Sequence, residues 1–231
     1  MSNPLVSYTL EGSVAVVQMD DGKANALGET MMNELLAALA RAEKEATAIV
    51  LAGRAERFCA GFDLRAMMSG RDAAIATLRQ GVDVLLGFYG TPLPVVIACT
   101  GHALAGGALL VLTGDLRLGI SGPFKIGLNE VAIGLPVPSL AMEFARDRLS
   151  KRALTRATLL AEIYTPDDAV GAGYLDALVP AGELLDRAKA EAARLGGLSR
   201  GAYAATKALL RKPTIDRIRA GLDAELARLT G

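Results

Sequence analysis

The chain of 231 residues contains no tryptophan, and aromatic residues make up 4% of it. That composition speaks against a platform for stacking nucleic-acid bases. There is one histidine, His102, and there are two cysteines, Cys59 and Cys99. So small a set argues against a zinc site of the His-rich or Cys-rich kind, and no metal is expected. Both cysteines lie in apolar sequence and make no disulfide framework, which points to a reducing compartment. A Ser-His-Asp triad would have to use His102, and no G-x-S-x-G elbow accompanies it. Net charge is lacking too: 25 Lys plus Arg balance 25 Asp plus Glu. The usual electrostatic case for nucleic acid is thereby removed. No apolar run reaches the roughly 18–20 residues that span a bilayer. Residues 94–112 come nearest, but Thr100, His102 and several glycines interrupt them. The opening Met1-Ser2-Asn3-Pro4 has neither the basic nor the apolar region of a signal peptide. The expectation is a cytoplasmic protein that meets neither membrane nor nucleic acid.

What is present suits a packed core. Apolar residues make up 52% and charged residues 22%, enough for one generous domain or a domain with a helical appendage. Residues 5–10 and 14–19 are rich in β-branched side chains and meet at Glu11-Gly12-Ser13, a hairpin pattern. Spacing predicts a helix over 29–42, a short buried strand over 48–52 and a polar loop over 53–57. A helix over 71–89 ends at Thr91-Pro92-Leu93-Pro94, and a strand follows over 95–100. Residues 106–113 read as a helix, and 116–120 and 124–126 as short strands. From Pro138 helices dominate: 139–149, 151–161, 166–171, 184–195, 198–211 and 213–229, with one late strand at 177–179. The order indicates an α/β core with a helical C-terminal region. No repeat of residue identities is evident.

Three segments place glycine beside buried, apolar sequence. In Arg57-Phe58-Cys59-Ala60-Gly61-Phe62-Asp63-Leu64, Gly61 permits a sharp turn and Asp63 is placed to cap a helix. The turn is either a plain strand-to-helix connection or one that offers a backbone N–H to an anion. In Gly101-His102-Ala103-Leu104-Ala105-Gly106-Gly107-Ala108-Leu109, the paired glycines either leave free N–H groups or allow close helix packing. Neither the G-x-G-x-x-G spacing nor the Gly-Lys-Ser/Thr of a P-loop is present. In the third segment, Ile126 to Pro136, Glu130 is an acid among apolar residues. It either pairs with an amide or an arginine, or stays unpaired with a raised pKa that suits a general base. His102 reads as structural and Cys59 as inert.

Taken together, these segments resemble the crotonase superfamily of enoyl-CoA hydratases and isomerases, over residues 5–179. Lys23-Ala24-Asn25-Ala26-Leu27 is similar to the family's Asn-Ala-Leu segment that lies along CoA. Residues 58–64 resemble its F-x-x-G-x-D-L oxyanion segment, and 101–115 its second glycine segment with the Asp that follows the helix. The resemblance implies an α/β fold: a crotonase-like ββα spiral core over residues 1–179 and a helical oligomerisation region over 180–231. It implies an acyl-CoA thioester substrate and no cofactor beyond that CoA. The N–H groups of Phe62 and Gly106 would hold the thioester oxygen, with Glu130 as the base. Lys23, Ala24, Ala60, Gly61, Asp63, Leu64, Met67, Leu109, Asn129 and Ile133 would contact substrate. Met68, Leu86 and Leu135 are further candidates for the acyl pocket. A homotrimer or dimer of trimers would form through the C-terminal helices. Lys207, Arg211 and Lys212 are read as an exposed, solvated face.

The family's hydratases use two glutamates, and the first position here is Leu109. One carboxylate suffices to move a double bond. Gly106-Gly107-Ala108-Leu109 followed by Asn129-Glu130 resembles the Δ3,Δ2-enoyl-CoA isomerases of fatty acid metabolism, which is the leading reading. The alternatives are a hydratase, another single-carboxylate reaction (thioester hydrolysis or decarboxylation), or a non-catalytic acyl-CoA-binding paralogue.

Overall fold

A computed structural model describes residues 4–230, with side chains as far as residue 222. The hairpin is present: β1 (Val6–Glu11) and β2 (Val14–Met19) pair antiparallel across the glycine turn. Helix α1 (Glu29–Glu45) buries Met31, Met32, Leu35, Ala38, Leu39 and Ala42, a stripe at helical spacing. The chain then repeats one pattern. Strand β3 (Ala48–Ala52) is followed by β4 (Glu56–Cys59) and helices α2 (Leu64–Met68) and α3 (Arg71–Gly90). Next come β5 (Val95–Cys99), β6 (Gly101–Leu104) and α4 (Gly106–Leu112). Then follow β7 (Leu116–Ile120), β8 (Ile126–Gly127) and a single 3-10 turn over Val131–Ile133.

The first strand of each pair joins a six-stranded sheet of order β1-β2-β3-β5-β7-β9, where β9 is Ala177–Val179. The second strand of each pair joins a three-stranded sheet of order β4-β6-β8. All pairings after the hairpin are parallel. Every turn of the chain thus adds one strand to each sheet, which makes a ββα spiral. Strands β3 and β5 are wholly buried and read as continuous apolar runs, as parallel strands covered on both faces do.

The main core fills one side of the large sheet, against α1, α3, α4 and α5 (Ser139–Arg148). Helices α6 (Lys151–Thr158) and α7 (Pro166–Ala172) continue the chain to β9. Helix α8 (Leu184–Gly196) covers the sheet's other face with Leu184, Ala188 and Ala192.

Two expectations need correction. The stretch read as a loop over 53–57 contains the start of β4, and the second glycine segment begins with β6. Both strands have four residues, too few for a period to show, and β4 opens on Glu56-Arg57. At the other end, the two helices expected on either side of Lys212 are one, α9 (Arg200–Thr230), with Pro213 inside it. Proline has no N–H to give to the preceding turn. The helix continues because both sides of the proline are fastened to the core. Lys207, Arg211, Thr214 and Ile218 are all buried, at helical spacing.

This also corrects the reading of the basic tail. Lys207 and Arg211 are not a solvated face. Lys207 Nζ donates to Asp115 Oδ2 at 2.5 Å and to the Leu93 carbonyl at 2.8 Å. Arg211 donates to Asp115 Oδ1 at 3.2 Å and to Asp147 Oδ2 at 3.1 Å, and its guanidinium lies 4.3 Å from the Tyr89 ring centroid. Asp115 also accepts the Val95 N–H at 2.9 Å. Of the three basic residues, only Lys212 is solvated, paired with Asp216 one turn on. The apolar side chains Leu209 and Leu210 face outward, 78% and 63% exposed.

Removing one member of such a buried ionic set strands the others. Asp115→Ala should lower unfolding stability by about 3–5 kcal/mol. Lys207→Met, which leaves Asp115 paired with Arg211, should cost clearly less. Urea denaturation of the two variants checks this, and equal losses would contradict it.

Candidate active site

The three glycine-bearing segments leave the carboxyl ends of β4, β6 and β8, the strands of the small sheet. The carboxyl ends of parallel strands are where ligands collect in α/β folds.

The turn after β4 is held by the loop over residues 20–27. Asn25 lies at the centre of that loop, fully buried and at a φ of 53°. Its side-chain amide donates to the carbonyls of Met19, Arg57 and Phe58 at 3.0, 3.1 and 3.1 Å. Its Oδ1 accepts the Asp21 N–H at 3.0 Å. Main-chain bonds then run along the turn. Ala60 N–H donates to the Ala24 carbonyl at 3.0 Å, Leu27 N–H to that of Gly61 at 2.8 Å, and Asp63 N–H to that of Leu27 at 3.2 Å. In this parallel pairing of Leu27 with Phe62, the N–H of Phe62 points away from the loop. Gly61 makes the bend at a φ of 96°. Asp63 caps α2 as expected, accepting the Arg65 N–H at 2.9 Å.

The turn after β6 meets the first turn. A methyl group added to Gly61 would lie 2.9 Å from the Leu104 carbonyl oxygen and 3.1 Å from Gly106 N. Ala105 occupies φ 48°, ψ −122°, a region few residues other than glycine adopt. Strain of about 1–3 kcal/mol is held there. It is offset in part by the Ala105 N–H, which donates to the Gly127 carbonyl at 3.0 Å. Gly106 opens α4, so its N–H has no partner within the helix. Gly107 packs against β4: a methyl there would be 2.6 Å from the Cys59 carbonyl carbon.

After β8 the chain delivers Asn129 and Glu130. The Glu130 carbonyl accepts the N–H groups of Ile133 and Leu135 at 3.1 and 2.9 Å, which fixes the backbone. The side chain is buried, and its Oε2 has no partner, as is true of Asn129 Oδ1. Burial pushes the Glu130 carboxyl above the ordinary range, and its own backbone N–H offsets this in part.

These groups border a cavity of about 150 Å³. Of the candidate site residues, Ala60, Phe62, Leu64, Met67, Leu109, Asn129, Glu130, Ile133 and Leu135 line it. Glu130 is the one titratable side chain among the described lining residues. Ala105, Pro136 and Pro138, with Leu78 and Val82 of α3, Leu140 of α5 and Leu222 of α9, complete the wall and were not singled out. Leu78 and Val82 had a signal in their one-turn spacing on an apolar helix face. Leu222 had none. Two acyl-pocket candidates fall elsewhere. Met68 is 84% exposed and points away from the cavity, and Leu86 lies in a separate groove beside Arg211 and Ile215. Lys23 and Asp63 border a neighbouring groove with Asp21, Gly28 and Arg65, while Ala24 serves the turn through its carbonyl.

The remaining reactive side chains are quiet. His102 Nδ1 accepts the Lys125 N–H at 3.0 Å and its ring meets Phe124 edge-on. Burial, then the nearby Arg57 and Lys125 charges, pull its pKa down. Cys59 is buried, its thiol pushed up to about 12, and its sulfur accepts the Gly61 N–H at 3.4 Å. No cluster of three or more His, Cys, Asp or Glu side chains suited to a metal occurs among the described residues. No helix of the described residues is long and apolar enough to cross a membrane.

Residues 9–230 match the family described as enoyl-CoA hydratase/isomerase. The chain belongs to that family. Human mitochondrial enoyl-CoA delta isomerase 1 is 30% identical over 96% of this chain and 75% of its own. A probable enoyl-CoA hydratase of Rhodobacter capsulatus is 32% identical over 90% and 81%. The crystal structure of an enoyl-CoA hydratase/isomerase family protein from Pseudomonas syringae superposes with a TM-score of 0.95 at 38% identity, covering 97% of this chain and 98% of that one. The crotonase fold expected for this family member is the fold observed.

A raised pKa in the folded protein means that folding favours the protonated acid. For Glu130 that contribution is complete below the unfolded pKa and is lost as pH rises through the folded value. Ionised Glu130 therefore burdens the fold at neutral pH. Glu130→Gln should melt at a higher temperature than wild type at pH 8, and the difference should shrink toward pH 4. A difference that is constant with pH would contradict the assignment.

Proposed function

We propose that the protein is an enoyl-CoA isomerase that moves the double bond of a 3-enoyl-CoA to the 2-trans position. One observation carries the reading: a single unpaired carboxylate faces a cavity whose other lining side chains, Asn129 apart, are apolar. Leu109, buried and on the cavity wall, stands where a hydratase of the resembled kind has its other glutamate.

In this scheme the thioester oxygen lies between the N–H groups of Phe62 and Gly106. Each such donor is worth about 2.7–4 kcal/mol to an oxyanion. Glu130 takes a proton from C2. The electron pair spreads through the C3–C4 double bond and the carbonyl, and the charge rests on the thioester oxygen. The Glu130 acid then returns its proton at C4, leaving the double bond between C2 and C3. Nothing is oxidised or reduced, and no cofactor enters. The apolar wall serves two ends. It raises the basicity of Glu130, and it keeps water from an intermediate that must be reprotonated at one carbon only.

A hydratase is the second reading, and one observation favours it. Asn129 Oδ1 and Glu130 Oε2 are adjacent in sequence and both unpartnered, and two such acceptors suit the hydrogens of one water. The two readings separate on rate. Wild type should isomerise a 3-enoyl-CoA much faster than it hydrates a 2-enoyl-CoA. Glu130→Gln should lose about 10²–10⁴-fold in turnover while still binding the thioester. Hydration as fast as isomerisation would replace the first reading with the second, and near-normal turnover of Glu130→Gln would remove both.

We also propose that the chain works as a trimer joined through its C-terminal helices. The outward Leu209 and Leu210 of α9 support this, since exposed neighbouring leucines suit a contact surface. Light scattering at micromolar concentration should give three times the chain mass; monomer alone would defeat the proposal.

A further inference from the structure

Gly81 lies in the middle of α3 and is not among the residues that line the site cavity. Glycine weakens a helix interior, because its backbone has more freedom to lose. The reason for it here is a side chain from another segment. A methyl group at Gly81 would sit 2.5 Å from Phe62 Cζ and closer still to Cε1. The opposite edge of the same ring rests on Gly106, where a methyl would be 3.1 Å from both Cδ2 and Cε2. The Phe62 ring therefore spans the gap between α3 and the first residue of α4. It fits because both helices lack a side chain at the point of contact. The ring and the amide nitrogen of Phe62 are carried by the same Cα, so a ring pushed from its seat pulls on the backbone that sets the direction of that N–H.

We propose that Gly81 is a positioning residue for the reaction: by seating the Phe62 ring against α3, it aims the Phe62 N–H at the substrate oxygen beside the Gly106 N–H. The inference rests on the reading of Phe62 N–H as an oxyanion donor. Gly81 touches no reacting atom, and its effect passes through the aromatic ring. An added methyl must push the ring or α3 aside, since the near atoms belong to a ring pinned on its far edge as well.

The test uses the full chain in three variants, Gly81→Ala, Phe62→Leu and the double variant, assayed on a 3-enoyl-CoA. Displacing a donor should lower kcat of Gly81→Ala by about 10²-fold with KM within about threefold of wild type. Leucine lacks the ring atoms that an alanine at 81 would strike. The double variant should therefore return to within about threefold of Phe62→Leu alone. Gly81→Ala within about twofold of wild type, or a double variant slower than Phe62→Leu by the factor that separates Gly81→Ala from wild type, would overturn the proposal. The thioester carbonyl stretch of bound 2-enoyl-CoA gives a second readout that does not need Gly81→Ala to fold. It should move toward its value in water in Phe62→Leu, and an unmoved band would also overturn the proposal. Wild-type hydration is measured alongside. Should wild type hydrate rather than isomerise, the reading of the reaction fails, yet the same ratios taken on hydration still decide the role of Gly81, because both reactions pass through a thioester oxyanion.

Discussion

Two lengths of main chain approach each other in this fold more closely than side chains would permit, and the site depends on that approach. The turn after β4 and the turn after β6 meet at Gly61 and Gly106, where an added carbon would stand 3.1 Å from a backbone nitrogen. Parallel pairing in the small sheet brings the turns side by side. The Asn25 amide then holds the first turn from behind by gripping the Arg57 and Phe58 carbonyls. The strained backbone of Ala105 is tied to β8 through Gly127. Each restraint is made by a neighbouring strand or loop rather than by the turn itself, so the geometry is in place before any ligand arrives. Such preorganisation is what makes backbone dipoles effective in a dry site.

The fold treats its buried charges in two opposite ways. Asp115 is surrounded by donors: the Val95 N–H, Lys207 and Arg211. Its charge is matched, and it joins the start of β5, the end of α4 and the middle of α9. Glu130 has no such company, and burial raises its pKa. A matched carboxylate holds structure together. An unmatched one costs stability and is a strong base. The first kind joins elements of the fold, and the second lies on the cavity wall.

Much of this was legible in the residues, and what was hidden was hidden for physical reasons. The long buried strands and the amphipathic α1 declared themselves through continuous or periodic apolar residues. The loop-borne groups were found because glycine and a lone acid are conspicuous in apolar sequence. The small sheet was not visible: Glu56-Arg57 looks like a loop, and four residues hold too little pattern. The role of Asn25 was equally hidden, since a buried amide that grips carbonyls has no periodic signature. Helix α9 misled most. Its leucines at 209 and 210 point outward while Lys207 and Arg211 point in. A rule that sends apolar residues to the core and charges to water reads that helix inside out. Only the distant carboxylates of Asp115 and Asp147 explain it, and distance in space is what a linear reading lacks.

That inverted helix bears on how the chain is made. Asp115 and Asp147 leave the ribosome long before their partners, which follow 92 and 64 residues later at Lys207 and Arg211. Synthesis proceeds from the N-terminus. Through that interval the two carboxylates lack the cations that face them in the finished fold. Until then Asp115 has the Val95 N–H and Asp147 the Tyr89 hydroxyl as partners within the earlier part of the chain. The docking of α9 therefore delivers two positive charges to carboxylates already in place, together with the apolar contact of Ile218.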